Sequence, residues 1–259
     1  MLLFACDLDN TLIYSHRHDI GTDKIPVELY DGRIVSFMTR HTQELLDEIY
    51  HRTIFVPVST RSIAQYQRIC FHPDWTPAFA LVSNGGSLLL DGLPDAEWFA
   101  QSNALAAPAE ADLCTAEKIL QTDPNRTLEV RRVDGLFVFT KSSDVPATMA
   151  RLCTVLPPER VYSGGQKIYV LPEALNKGRA IQRLRARFPG IPVVAAGDSQ
   201  FDIPLLAAAD FAFYPESLDY QPHANQTGRL LPASDGIFSD VLLEQILTLI
   251  ENDAYGSIS

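Results

Sequence analysis

Residues 2–12 read Leu2-Leu3-Phe4-Ala5-Cys6-Asp7-Leu8-Asp9-Asn10-Thr11-Leu12. An apolar run over residues 2–6 that ends abruptly in polar, turn-forming residues is the pattern of a strand buried on both faces of a parallel sheet. Two carboxylates, Asp7 and Asp9, stand two residues apart where that strand ends, and open parallel sheets bind ligands at their carboxyl edge. Neighbouring carboxylates repel, which pushes their proton affinities apart and suits one to act as a nucleophile and the other as an acid, unless a cation takes up the charge. An Asp-x-Asp pair alone is most often a capped turn, so the reading depends on the rest of the chain.

The buried-strand pattern recurs at residues 53–58 and 191–196. Helical periodicity precedes both, with Leu45, Leu46 and Ile49 before the first and Ile181, Leu184 and Phe188 before the second. Strand, helix, strand predicts an α/β fold with a doubly wound, Rossmann-like parallel sheet as its core. A further strand is expected at 211–214 and a closing helix from about Asp235 to residue 251. Residues 28–38 carry Asp31-Gly32 between apolar residues, a hairpin signal, so residues 13–40 read as a long flap behind the first strand.

The middle of the chain differs in texture. A strand at 87–90, helices over 107–122 and 145–155, and hairpins pairing 127–133 with 136–141 and 160–163 with 166–170 describe an α+β unit. It reads as a domain over residues 85–170 inserted into a core made of 1–84 and 171–259. The hinges are expected at Ser83-Asn84-Gly85-Gly86 and Leu171-Pro172-Glu173, both rich in turn formers.

Composition narrows the function. Among 259 residues, 21 Lys plus Arg against 32 Asp plus Glu give a formal charge of −11, which argues against a nucleic-acid binder. The four cysteines, Cys6, Cys70, Cys114 and Cys153, have no close spacing and predict reduced, mostly buried thiols rather than a disulfide framework or a zinc knuckle. With no basic leader before Asp7 and no apolar run of the roughly 20 residues a membrane span needs, the expectation is a cytoplasmic protein with no membrane partner.

Three more segments join Asp7 and Asp9 in fixed order. Ser59-Thr60-Arg61 follows the second buried strand and offers hydroxyl and guanidinium donors suited to a phosphoryl group. Asn176-Lys177-Gly178 opens the helix that precedes the third strand, so that the ammonium and the helix N-terminus can share an anion. Gly197-Asp198-Ser199-Gln200-Phe201-Asp202 places two more carboxylates, four residues apart, behind the third strand.

Each segment alone is an ordinary cap or turn, but together they resemble the haloacid dehalogenase-like (HAD) phosphohydrolases, whose motifs run Asp-x-Asp-x-Thr, a strand-end Ser or Thr, a Lys, and Gly-Asp-x-x-x-Asp. The position of the insert resembles the subgroup with a large α/β cap, which includes Cof-type hydrolases and the sucrose-phosphate, trehalose-phosphate and mannosyl-phosphoglycerate phosphatases. The resemblance implies a Mg²⁺-dependent phosphatase for a small phosphorylated metabolite such as a sugar phosphate. Asp7 would be the nucleophile that forms an aspartyl-phosphate, and Asp9 the general acid and base. Mg²⁺ would be held by the carboxylates of Asp7 and Asp198 and the backbone carbonyl of Asp9, with Asp202 either a further ligand or an orienting residue. Lys177 would offset charge on Asp7 and the phosphoryl oxygens, and Thr11 would contribute to phosphate binding.

The second motif lacks the glycine common in relatives, which leaves either Ser59 or Thr60 as the phosphate-binding hydroxyl; Ser59 is preferred, with Arg61 as phosphate or substrate contact. Substrate choice would fall to the cap, where Lys167 and Tyr169 are candidates, and Arg131 or Arg132, since adjacent strand residues face opposite ways. His16 and His18 lie close behind the first motif, while Trp75 and Trp98 read as packing. The alternatives are a phosphotransferase or phosphomutase of the same superfamily, a catalytically silent HAD-like binding protein, and a phospho-accepting receiver-like module, which fits poorly with Thr11 and the insert.

Overall fold

The computed structural model describes residues 1–232 and 236–252. The chain divides into two compact units, Met1–Asp95 with Asn176–Ser259, and Ala96–Leu175.

The first unit is built on a five-stranded parallel sheet in the order Thr227–Leu231, Phe211–Pro215, Val193–Ala196, Leu3–Cys6, Ile54–Pro57. Leu3–Cys6 is an interior strand and wholly buried, which its apolar sequence requires, because helices cover both faces of such a sheet. Phe4, Cys6 and Leu8 share a core with Phe55, Phe213, Leu46, Ile49, Leu242 and Ile246, so helices Arg40–Arg52 and Phe238–Glu251 cover that face. Helix Ile203–Ala207 packs on the central strands and on helix Lys177–Arg185. From Leu3–Cys6 the chain passes first to Ile54–Pro57 on one side and later to Val193–Ala196 on the other. That reversal is the switch point where an open parallel sheet leaves a crevice at its carboxyl edge. The fourth strand expected at 211–214 is present. The closing helix is present from Phe238, and its expected start at Asp235 lies outside the described residues.

The flap forms as the Asp31-Gly32 turn dictates. Lys24–Tyr30 and Arg33–Thr39 pair antiparallel around two residues with positive φ, at 54° and 73°, and Tyr14–Ser15 adds a third strand. At Pro26 to Leu29 the register shifts, so Val27 and Glu28, adjacent in sequence, are both buried.

Four features depart from expectation. Strand Phe79–Val82 pairs with Ser87–Leu90, so the Ser83-Asn84-Gly85-Gly86 turn joins a buried hairpin instead of acting as a hinge. Asn84 N–H donates to the Ser59 carbonyl at 2.9 Å, and a Cβ on Gly85 would collide with Ala180. The first compact unit therefore runs on to Asp95. Helix Ala96–Ala106 and edge strand Thr227–Leu231 also form where no pattern announces them. Of the cysteines only Cys6 is buried; Cys70 is exposed, and Cys114 and Cys153 are intermediate. Among the described residues no helix is long and apolar enough to cross a membrane.

The second unit is an antiparallel sheet in the order Val161–Gly164, Lys167–Val170, Phe137–Lys141, Arg131–Val133. Helices Glu110–Gln121 and Val145–Cys153 cover one face, packing Leu113, Leu120 and Leu152 on Val138, Ile168 and Val170.

Helix Lys177–Arg185 meets helix Ile203–Ala207 closely enough that a Cβ on Gly178 would run into the Pro204 carbonyl. Overpacking at backbone has no flexible side chain to absorb it, so Gly178→Ala should destabilise the protein by about 2–3 kcal/mol. Urea unfolding with an unchanged m value checks this, and a midpoint equal to wild type would show that the two helices separate freely.

Candidate active site

The turn after strand Leu3–Cys6 is set by one carbonyl. Leu8 accepts from the N–H groups of Thr11, Leu12 and Ile13, at 3.2, 2.9 and 2.9 Å, while Leu8, Leu12 and Ile13 bury their side chains. Asn10 takes φ 68° to close the loop, a conformation that Asn tolerates better than most residues. Asp7 N–H continues the parallel ladder to the Ala196 carbonyl at 2.9 Å, which fixes its carboxylate at the switch point.

Lys177 reaches that carboxylate from the first turn of its helix, whose N-cap is Asn176. Its side chain is 1% exposed, and Nζ lies 2.5 Å from Asp7 Oδ1 and 2.6 Å from Asp202 Oδ1. Burial alone would lower the proton affinity of the amine, but Asp202 and Asp7 more than reverse this and hold it as ammonium. Asp202 is buried and does two things at once. Its second oxygen accepts from Asp198 N, Ser199 N and Ser199 Oγ at 3.2, 3.0 and 2.7 Å, which closes the loop carrying Asp198. Gly197 is required there, because a Cβ would strike the Asp202 side chain. Thr11 Oγ1 stands 3.2 Å from both Asp7 Oδ2 and Asp198 Oδ1, so it bridges the two loops.

Asp7, Asp198 and Asp202 bring carboxylate oxygens within 4.8 Å of one another. Burial, and then the neighbouring Asp202, push Asp7 well above the usual carboxylate range and Asp198 up to about 6. One ammonium against three carboxylates, those of Asp7 and Asp202 buried and that of Asp198 half-buried, leaves negative charge uncompensated. An all-oxygen donor set with excess negative charge suits a hard divalent cation such as Mg²⁺, which takes one or two carboxylates and fills its other positions with water and phosphate.

Asp9 lies apart from this cluster. Its carboxylate is held by Arg61, with Nη2 2.8 Å from Oδ1 and Nε 2.9 Å from Oδ2. Arg61 also donates from Nη1 to Glu28 Oε2 at 2.8 Å. Three of the five N–H groups of the guanidinium are thus committed to carboxylates, where the sequence suggested a phosphate or substrate contact. Ser59 is buried at the strand end and its Oγ accepts from Arg61 N–H at 3.2 Å; Thr60 is half-buried. Glu28 escaped the sequence reading, because a lone Glu in an amphipathic hairpin looks solvated.

Arg131 and Lys167 belong to the second unit. Arg132 is bound to Glu117 and Glu110 of helix Glu110–Gln121, whereas Arg131 lies on the opposite side of the strand, with Glu129. Lys167 is exposed and stands opposite Lys141 in the register, and Tyr169 is largely buried. His16 and His18 are exposed. Trp75 is a packing residue, stacked on Tyr50 at 4.0 Å, and Trp98 is buried.

No family model and no curated protein matches the sequence. Solved structures share the fold over nearly its whole length. A sucrose-phosphatase from Synechocystis, in complex with sucrose and phosphate, matches with a TM-score of 0.63 at 17% identity, over 95% of this chain and 97% of that one. A trehalose-6-phosphate phosphatase related protein matches with a TM-score of 0.55 at 17% identity, over 98% and 99%. A phosphatase of the HAD enzyme superfamily from Bacteroides thetaiotaomicron matches with a TM-score of 0.53 at 12% identity, over 95% and 94%. The chain therefore has the fold of HAD-superfamily phosphatases, a Rossmann-like core with an inserted α+β unit.

The raised affinity of Asp198 for a proton gives a test of the charge excess. Between the ordinary value of 3.8 and about 6 the metal-free folded protein holds a proton that the unfolded chain has released, so stability falls as pH rises through that window. Asp198→Asn removes this penalty. Without metal the variant should be more stable than wild type at pH 7 by ~1–2 kcal/mol, after allowance for solvent screening, with the gain vanishing near pH 4. Mg²⁺ should stabilise wild type and leave the variant unchanged. Equal metal-free stability at pH 7 would mean that the cluster is balanced without a cation.

Proposed function

We propose that this protein is a Mg²⁺-dependent phosphatase that hydrolyses a small phosphomonoester, of the sugar-phosphate class, through an aspartyl-phosphate. The observation that carries this reading is the cluster of buried Asp7, Lys177 and Asp202 with half-buried Asp198, tied by Thr11 at the switch point of the parallel sheet. Its fold is that of phosphatases, one of which holds sucrose and phosphate.

Asp7 is the nucleophile. Its carboxylate oxygen forms a bond to phosphorus as the bond from phosphorus to the substrate's ester oxygen breaks, which divides one hard displacement into two easier ones. Asp9 gives a proton to the departing oxygen and then takes one from the water that cleaves the aspartyl-phosphate, restoring both residues. Lys177, desolvated and charged, offsets negative charge on Asp7 and the phosphoryl oxygens, and Ser59 donates its hydroxyl to one of them, with Thr60 beside it. Asp7, Asp198 and the Asp9 carbonyl would hold Mg²⁺, which supplies Lewis-acid stabilisation of the phosphoryl oxygens. Asp202 serves here as an orienting residue, since Lys177 and the 198–199 loop engage its two oxygens. Arg131 and Lys167 of the second unit, which we assign as the substrate-selecting cap, are its candidate contacts to the rest of the substrate.

Phosphate release from p-nitrophenyl phosphate and a panel of sugar phosphates should require Mg²⁺ and stop with EDTA. Asp7→Asn keeps the volume and removes the nucleophile, so it should lower kcat by at least a thousandfold with the melting temperature retained. Metal-independent release, or an active Asp7→Asn variant, would overturn the assignment. Arg131→Ala should alter the ranking of sugar phosphates more than the rate on p-nitrophenyl phosphate, and equal losses on every substrate would remove it from recognition.

A further inference from the structure

A second charge network lies beside the acidic cluster, centred on a buried acid that the proposed chemistry does not use. Glu28 is 3% exposed although it sits in the flap hairpin. In a regular strand adjacent side chains face opposite ways, and Val27 already packs into the core. The register shift at Pro26 to Leu29 lets Glu28 be buried as well, the re-aiming that a β-bulge achieves. Its carboxylate receives Ser36 Oγ at 2.6 Å and Arg61 Nη1 at 2.8 Å on one oxygen, and Arg68 at 2.8 Å on the other. Arg68 also lies over the Tyr30 ring of the same hairpin at 4.4 Å, and Cys70 N–H donates to the Val27 carbonyl at 2.8 Å. The hairpin is thereby fastened to the segment that follows the second motif. Burial opposes ionisation of Glu28, but Arg61 and the hydrogen bonds from Ser36, Arg61 and Arg68 outweigh it and keep the group a carboxylate.

A buried carboxylate between two guanidiniums is an expensive way to attach a hairpin, since apolar side chains of similar volume commonly do so at no loss of stability. What the charge does achieve is alignment. Arg61 is a planar fork with one edge on both oxygens of Asp9 and its remaining terminal nitrogen on Glu28, and a fork held at both ends has one orientation. We propose that Glu28 is a positioning residue: by holding Arg61 from the flap it aims the Asp9 carboxyl at the leaving-group oxygen. This rests on the reading of Asp9 as general acid, and it makes a formed flap a condition for proton transfer to the leaving group.

Leaving groups separate this from a merely structural role. Phenolate from phenyl phosphate is a poor leaving group and needs a proton, whereas 2,4-dinitrophenolate departs without one. In Glu28→Gln, kcat/KM for phenyl phosphate should fall at least tenfold, within the range that general acids supply, while 2,4-dinitrophenyl phosphate changes by less than about threefold and Mg²⁺ affinity by calorimetry stays as in wild type. Should Glu28→Gln fail to fold, Ser36→Ala removes one donor to Glu28 and should show the same selectivity at about threefold. Equal losses on both esters, or none, in a wild-type enzyme that hydrolyses both would overturn the role of Glu28 and leave the phosphatase reading standing. A wild type inactive on both esters would overturn that reading, and the proposal with it.

Discussion

The ammonium of Lys177 between Asp7 and Asp202 is the contact on which the first unit's acidic cluster depends. It joins the end of strand Leu3–Cys6, the first turn of a helix and the loop behind strand Val193–Ala196, segments that are far apart in the chain. Taking these charges out of water is costly, and their mutual attraction recovers that cost only when geometry and hydrogen bonding are complete. Here they are: the Asp202 oxygen turned away from Lys177 closes the 198–199 loop, and Thr11 spans Asp7 and Asp198. Removing the ammonium would leave carboxylates buried beside one another with nothing to offset them.

The second network, Asp9, Arg61 and Glu28 with Arg68, starts two residues further along the same turn. The ladder bond to Ala196 places Asp7 beside Lys177, and the turn closed on the Leu8 carbonyl follows with Asp9 bound to Arg61. Two acids separated by a single residue thus enter different electrostatic surroundings. One is buried against an ammonium and other carboxylates; the other is part-exposed against a guanidinium. That division is what a reaction with a nucleophile and a separate acid needs.

Sharing a fold at 17% identity or less means that the packing solution persists while most side chains differ. In this chain the positions that carry the argument are those where backbone and charge leave little choice: the glycines that meet Asp202 and Pro204, and the acids at the strand ends. The second unit has its own core and its own charge pairs. Arg132 is absorbed by the helix it packs against, while Arg131 is not.

The sequence by itself determined the parallel core, because strands buried on both faces must be continuously apolar and must end where turn formers begin, as residues 2–12 do. It also determined which acids, hydroxyls and lysine stand at the carboxyl edge, since each motif directly follows a strand or opens a helix. Tertiary structure alone decided the partners. That Lys177 meets Asp202 and that Arg61 meets Asp9 and Glu28 instead of standing free depend on segments remote in sequence, as does the packing of the Ser83 to Gly86 turn against Ser59 and Ala180. Turn-forming residues serve hinges and tight hairpins equally well, so only the pairing of Phe79–Val82 with Ser87–Leu90 distinguishes them. Glu28 was illegible for the same reason: alternation along a strand predicts which face a residue takes, and a bulge, which arises from pairing between strands, cancels that prediction.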